Sequence, residues 1–268
     1  MNMPDNLTEL LEPVIAITRD AGDAIMAIYQ KDFSIYEKSD DSPLTEADLA
    51  AHKIIVQRLA EISDYPILSE ESANIDWQER KDWQTYWLVD PLDGTKEFIK
   101  KNGEFTVNIA LIHQGKAILG VVTAPAINQI YAGVLDGPCF KELEDKSRTE
   151  LNPVSVDSAE QLKIVGSRSH QSPEIKGFLE ALGKPSELVA MGSSLKLCMV
   201  AEGKAHLYPR LGPTSEWDTA AAHAVVNAAG GKVTVMTQNE NGVWQDSGVE
   251  LLYNQKESVL NPYFLVSA

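Results

Sequence analysis

Residues 87–95 read WLVDPLDGT and join a run of apolar residues to two carboxylates. The apolar residues are typical of the end of a buried strand, and Pro91 and Gly94 predict a turn after it. Asp90 and Asp93 would then lie close together on that turn, which is costly unless a positive charge occupies the gap. Oxygen ligands of this kind suit Mg²⁺, and the Gly-Thr that follows offers donors to a phosphate. An ordinary exposed β-turn is the alternative interpretation.

Other stretches of the chain place acids at the ends of predicted strands or at the starts of predicted helices. Glu70 follows a short apolar strand, and Asp218 lies in the first turn of an Ala-rich helix, where the helix dipole favours an ionised acid. Asp48 stands three residues after Thr45, which is a helix-capping pattern. Each has a structural alternative: solvated loop charge for Glu70, a helix-start preference for Asp218, and capping for Asp48.

Taken together, three motifs resemble those of the inositol monophosphatase superfamily in order and spacing. They are EE at 70–71, DPLDGT at 90–95 and WDTAA at 217–221. The resemblance runs from about residue 7 to residue 268. Within the superfamily, the chain is most similar to the CysQ-type 3'(2'),5'-bisphosphate nucleotidases, because KEF follows the Gly-Thr where inositol monophosphatases usually carry Thr-Asn-Phe. The segments GEFTVNIA at 103–110 and LYPRL at 207–211 support the same subfamily.

The resemblance implies two Mg²⁺ ions and leaves a third open. One ion would be held by Glu70, Asp90 and the Leu92 carbonyl, and the other by Asp90, Asp93 and Asp218. Two such ions activate a water and stabilise the leaving oxygen of a phosphate ester.

The resemblance also implies catalytic and substrate-binding roles. Asp48 and Thr95 would orient and deprotonate the attacking water, and the Gly94 and Thr95 N–H groups would hold phosphate oxygens. The implied substrate contacts are Glu70, Leu92, Asp93, Gly94, Thr95, His170, Ser193, Lys196, Arg210 and Asp218. The alternatives are surface charge for Lys196 and Arg210 and helix capping for Ser193 and His170.

The implied activity is hydrolysis of 3'(2')-phosphoadenosine 5'-phosphate, a small nucleotide bisphosphate, to AMP and phosphate. An inositol or sugar monophosphatase is the alternative, and a non-catalytic metal- or phosphate-binding regulator is a third. A haloacid-dehalogenase phosphatase fits poorly, because its two acids lie two apart near the N-terminus and here they lie three apart at mid-chain.

Composition limits the partners and the compartment. The net charge of −16 over 268 residues argues against a nucleic-acid partner, which would need a basic surface. Two cysteines in apolar settings favour buried thiols in the cytoplasm over a disulfide. We expect neither a signal peptide nor a transmembrane segment. The resemblance leaves open a homodimer and peripheral attachment to the cytoplasmic face of the inner membrane.

Hydrophobic periodicity predicts two helices, then antiparallel hairpins, then an alternating α/β segment. The predicted helices are 7–29, 46–61, 171–182, 194–202 and 216–229. The predicted strands are 65–69, 84–89, 106–113, 116–124, 129–135, 163–167, 187–191, 204–208 and 232–235, with an edge strand and linker in 141–161. The resemblance implies a layered αβαβα sandwich of α+β and α/β character, with subdomains 1–150 and 151–268 and the active site between them.

Overall fold

The computed structural model describes residues 4, 7–31, 35–37, 43–166 and 173–268. Its first half contains α1 (Leu11–Tyr29), β1 (Ile35–Glu37), β2 (Pro43–Thr45), α2 (Glu46–Ile62), β3 (Ile67–Ser69), α3 (Trp77–Arg80), β4 (Thr85–Asp93), α4 (Thr95–Ile99), β5 (Thr106–His113), β6 (Lys116–Ala124), β7 (Gln129–Val134), β8 (Cys139–Glu142) and β9 (Arg148–Glu150). Its second half contains β10 (Leu162–Gly166), α5 (Pro173–Ala181), β11 (Ser186–Ala190), α6 (Leu195–Ala201), β12 (Leu207–Arg210), α7 (Ala220–Ala228), β13 (Lys232–Gln238), β14 (Trp244–Glu250) and β15 (Phe264–Ser267).

The first large sheet has the strand order β3-β4-β5-β6-β7-β8-β9. Strand β3 runs parallel to β4, and the other neighbours are antiparallel, so the predicted hairpins are confirmed. Both faces of this sheet are buried. Along β4, Trp87 and Val89 pack with α1 and α2, whereas Tyr86 and Leu88 join the core on the other face. Alternate residues of a strand point to opposite faces, which explains the continuous apolar run.

The second large sheet has the order β11-β10-β12-β15-β13-β14. Strand β10 is parallel to β11 and β12, but β12, β15, β13 and β14 pair antiparallel. The predicted α/β alternation therefore holds only for its first three strands. Strands β14 and β15 lie beyond the last strand predicted from sequence, and β15 inserts between β12 and β13.

Helices α6 and α7 lie between the two sheets, and α7 packs closely on β6 and β7. Gly120 and Gly133 are paired across these strands. A Cβ at Gly120 would come within 2.0 Å of the Ala221 carbonyl oxygen, and one at Gly133 within 2.8 Å of the Val225 Cα. Helices α1 and α2 cover the outer face of the first sheet, and Phe178 of α5 packs on the outer face of the second. The predicted layered αβαβα sandwich is confirmed.

Two local predictions at the metal-site motifs are wrong. Strand β4 continues through Asp93 instead of turning at Asp90, with a register shift between the two acids where they face β5. This irregularity accommodates Pro91, which a regular central strand would not. Helix α7 begins at Ala220, so Asp218 precedes it and does not lie in its first turn.

Helix α1 begins at Leu11, four residues after the predicted start.

The division into subdomains 1–150 and 151–268 stays a prediction. Within the described ranges, no helix is both long and apolar enough to cross a membrane. Cys139 is a half-buried free thiol and Cys198 a buried one.

Candidate active site

Three carboxylates from separate parts of the chain converge at one end of the first sheet. Glu70 begins a 3₁₀ turn directly after β3, Asp90 lies within β4, and Asp218 lies just before α7. Each offers an oxygen within 4.8 Å of the others. Asp90 is buried, and its Oδ1 accepts a hydrogen bond from the Leu92 N–H at 3.0 Å. Residues far apart in sequence thus form a single acidic cluster.

The electrostatics of this cluster favour a bound cation. Burial raises the pKa of Asp90 well above its ordinary value, and the charges of Glu70, Asp93 and Asp218 raise it further. Burial, assisted by Asp93, raises the pKa of Asp218 to about 8. Like charges crowded out of water repel one another, and a divalent cation would relieve that repulsion. An all-oxygen set of this kind fits a hard cation such as Mg²⁺.

Asp93 lies beside positive groups as well as acids. Burial raises its pKa, whereas the Lys196 charge, the Ser194 N–H and the Arg210 charge act to lower it. The Ser194 N–H donates directly to Asp93 Oδ2. Asp93 therefore connects the acidic cluster to the start of α6.

Asp48 makes the predicted capping contacts and also faces Thr95. Its Oδ2 accepts the Thr45 N–H at 2.8 Å, as the capping box at the start of α2 predicts. Its Oδ1 lies 3.4 Å from the Thr95 hydroxyl, which also lies 3.3 Å from the Leu92 carbonyl oxygen. One carboxylate oxygen therefore fixes the helix start while the other faces Thr95, so the side chain is held in one orientation.

Gly94 permits a close approach between the two halves of the site. Its φ is +89°, and a Cβ there would lie 3.0 Å from the Glu104 carbonyl oxygen and 3.4 Å from Ser193 Cβ. Ser193 is itself in the left-handed region at φ +46°. Only glycine at position 94 fits both the backbone conformation and the space.

Lys196 and Arg210 lie near the acids. Burial lowers the pKa of Lys196, and the charges of Asp93 and Asp218 raise it. Lys196 Nζ donates to the Ser193 carbonyl at 2.6 Å, and Arg210 Nη2 donates to the Pro213 carbonyl at 2.6 Å. Arg210 Nε is buried and finds no acceptor among the described residues. The charges of both cations act to lower the pKa of Asp93.

The last two features to describe are His170 and a hydrogen-bond network around Ser194. His170 lies outside the described residues. Sequence reasoning missed the side chains that support Asp93: Ser194 Oγ lies 2.8 Å from Thr106 Oγ1 and 2.7 Å from Asn108 Oδ1. The polar Thr106 and Asn108, two apart in an otherwise apolar strand, are the signal that could have found it.

Comparison with known proteins finds a matching family, similar sequences and a similar solved structure. The profile of the inositol monophosphatase family matches residues 6–263. The 3'(2'),5'-bisphosphate nucleotidase CysQ of Escherichia coli is 50% identical over 261 residues, covering 96% of this chain and 99% of that protein. The nucleotidase of the same name from Buchnera aphidicola is 43% identical, covering 97% and 94%. The crystal structure of CysQ from Bacteroides thetaiotaomicron, a bacterial member of the inositol monophosphatase family, has a TM-score of 0.80 at 41% identity and covers 96% of both chains.

Proposed function

The chain belongs to the inositol monophosphatase family, and we propose that it is a metal-dependent 3'(2'),5'-bisphosphate nucleotidase. The reaction would consume 3'(2')-phosphoadenosine 5'-phosphate and water and release AMP and phosphate. The convergence of Glu70, Asp90 and Asp218 carries this proposal, because these carboxylates could hold a metal cation. That cation would neutralise the negative charge of a phosphate ester. The 50% identity to a named nucleotidase supports the choice of substrate.

We propose Mg²⁺ as the ion. Glu70, Asp90 and the Leu92 carbonyl would hold one ion, and Asp90, Asp93 and Asp218 a second. When bound, the ions would supply Lewis-acid stabilisation of phosphate charge and an acidified water. The raised pKa values of Asp90 and Asp218 support a cation between them, since a cation would keep both ionised at neutral pH.

The protein's own groups would position the attacking water and the phosphate. Asp48 Oδ1 and the Thr95 hydroxyl face each other, so Thr95 can donate to Asp48 while accepting a hydrogen bond from the water. The water would then lose its proton to the Thr95 hydroxyl as Thr95 passes its own proton to Asp48. The Gly94 and Thr95 N–H groups lie at the start of α4, where backbone donors have no acceptor within their own helix, and would hold phosphate oxygens.

Lys196 and Arg210 would provide countercharge for a substrate with two phosphates. Arg210 can meet a phosphate with two N–H donors, and its buried Nε lacks an acceptor among the described residues. Ser193, which accepts a hydrogen bond from Lys196 and lies next to Gly94, would line the same side of the site. His170 is proposed on resemblance alone.

We further propose a cytoplasmic location, which the free thiols Cys139 and Cys198 support.

A substrate panel tests the proposed function. Phosphate release is measured from 3'-phosphoadenosine 5'-phosphate, inositol 1-phosphate, a sugar phosphate and a simple aryl phosphate, with Mg²⁺ and with chelator. We expect the highest kcat/KM for the bisphosphate and loss of activity in chelator. A preference for inositol or sugar phosphate would replace the nucleotidase assignment with a monophosphatase, and metal binding without turnover on any substrate would favour a regulator.

A further inference from the structure

Another carboxylate, that of Glu216, is buried two residues before Asp218 but has different partners. It is 2% exposed, and both its oxygens accept the Asn254 N–H, at 3.1 and 3.0 Å. Arg80 is also buried, at 3% exposure. Burial raises the pKa of Glu216, and the Asn254 N–H and the Arg80 charge act against that rise. Glu216 therefore has a countercharge supplied from another part of the fold.

Arg80 and Asn254 are joined in both directions. Arg80 Nη1 donates to Asn254 Oδ1 at 2.6 Å, and Asn254 Nδ2 donates to the Arg80 carbonyl at 2.6 Å. Arg80 Nη2 also donates to the Glu257 carbonyl. We call Arg80, Asn254 and Glu216 the buried clamp. It ties the end of α3 and the segment before β15 to the turn that carries Asp218.

The turn at 215–218 receives hydrogen bonds on several sides. The Glu216 N–H donates to the Val259 carbonyl at 2.8 Å, and Asn261 Nδ2 donates to the Ser215 carbonyl at 2.8 Å. Within the turn, the Ser215 N–H donates to Asp218 Oδ2 at 2.9 Å. The orientation of the Asp218 carboxylate thus depends on the position of the same backbone that Glu216 anchors.

We infer that the buried clamp is a positioning device for the proposed metal ligand Asp218, aiming its carboxylate at Glu70 and Asp90. Repulsion among the three acids would push Asp218 away, and the clamp opposes this with the hydrogen bonds that run from Arg80 through Asn254 to Glu216. A buried hydrogen-bond network whose members are all paired can fix one geometry, which is what a ligand set needs. The inference rests on the proposed function, in which Asp218 binds a divalent cation.

The chain provides a matched control for a purely structural role. Glu142 on β8 is also 2% exposed and pairs with two arginines, Arg19 and Arg148. Its strand β8 lies toward the opposite edge of the first sheet from β4, which carries Asp90. Glu142→Gln removes a comparable buried charge and should lower Tm without acting on the metal ligands.

The experiment measures Mn²⁺ binding by electron paramagnetic resonance on the folded full chain, with Tm recorded for each variant. We expect Glu216→Gln and Arg80→Met each to weaken Mn²⁺ binding about tenfold, and the double variant to lose little more, because the two residues act as one unit. Glu142→Gln should keep wild-type binding. Asp218→Asn gives the reference for a lost ligand. Should Arg80→Met fail to fold, Asn254→Gly cuts the same link, since Asn254 has φ +54° and glycine adopts this freely.

The possible outcomes separate the inference from the proposed function. If the clamp variants lose Tm as Glu142→Gln does but keep wild-type Mn²⁺ affinity, the clamp is only structural and the inference is wrong. If the wild-type protein itself binds no Mn²⁺, the proposed function fails and the inference with it. A weakened affinity in the clamp variants alone supports both.

Discussion

Replacing Asp218 by Asn should stabilise the metal-free protein, although it removes a proposed ligand. Burial and Asp93 raise the pKa of this carboxyl from 3.8 to about 8. A raised carboxyl pKa destabilises the folded protein. This destabilisation is absent below the unfolded-state pKa, grows as the pH rises, and is complete above the folded-state pKa. At about pH 7, the raised pKa of Asp218 lowers the free energy of unfolding by about 4 kcal/mol.

The expected gain is smaller than this cost, because the carboxylates of Glu70, Asp90 and Asp93 remain near the substituted side chain. We expect Asp218→Asn to recover about 2 kcal/mol, which raises Tm by about 4–8 °C in a domain of this size. The amide oxygen can still accept the Ser215 N–H, so the turn should keep its geometry. The stabilisation should shrink toward about pH 4, where the unfolded carboxyl is also protonated.

Thermal unfolding in chelator and in Mg²⁺, across a pH series, measures this effect. The exposed Asp82 provides the control substitution Asp82→Asn, for which we expect an unchanged Tm. In Mg²⁺, the wild-type protein should gain stability and Asp218→Asn should gain much less. A metal-free Asp218→Asn protein that unfolds at a lower temperature than wild type, at neutral and acidic pH alike, would refute the electrostatic reasoning and make Asp218 a structural residue.

Three further predictions concern turnover. Activity should require Mg²⁺ and be inhibited by Ca²⁺, which prefers more ligands, and by Li⁺, as the family resemblance implies; full phosphate release in excess chelator would contradict the metal site. Asp90→Asn should reduce kcat more than Asp48→Asn, because Asp90 is proposed to contact two ions and Asp48 to position a water. Both variants should stay folded by circular dichroism, and a larger loss of kcat in Asp48→Asn would reverse those roles. Lys196→Ala and Arg210→Ala should lower kcat/KM for the bisphosphate about ten- to a hundredfold, the value of a charge-assisted contact. They should lower it less for an aryl monophosphate, although Lys196 acts on Asp93 and some loss is expected there too; equal losses on both substrates would remove the bisphosphate-specific role.

Much of the candidate site could be predicted because its residues carry local signals. Glu70 follows a short apolar strand, and the acids of 90–95 follow an apolar run, so the sequence pattern indicates where strands deliver charge. The Thr-x-x-Asp pattern correctly predicts the capping box of α2. The sequence pattern offers capping and function as alternative interpretations of Asp48, whereas in the fold each carboxylate oxygen has its own partner.

The parts that sequence reasoning missed depend on long-range contacts. The Arg80–Asn254 pair joins residues 174 positions apart, and neither lies in a motif. The extension of β4 through Pro91 requires β5 as a neighbour, since the Pro-Gly signals alone favour a turn. The same holds for β15, whose place in the sheet is set by its pairing with β12 and β13.

Local sequence signals predict the candidate site residues and the short elements that carry them, because capping, apolar runs and turn residues act over a few positions. The approach of Glu70, Asp90 and Asp218 to within 4.8 Å, and the effect of the Lys196 and Arg210 charges on Asp93, follow only from the three-dimensional fold. The physical reason is that these distances follow from the stacking of sheets and helices. That stacking is set by packing such as α7 against Gly120 and Gly133, and a one-dimensional pattern does not contain it.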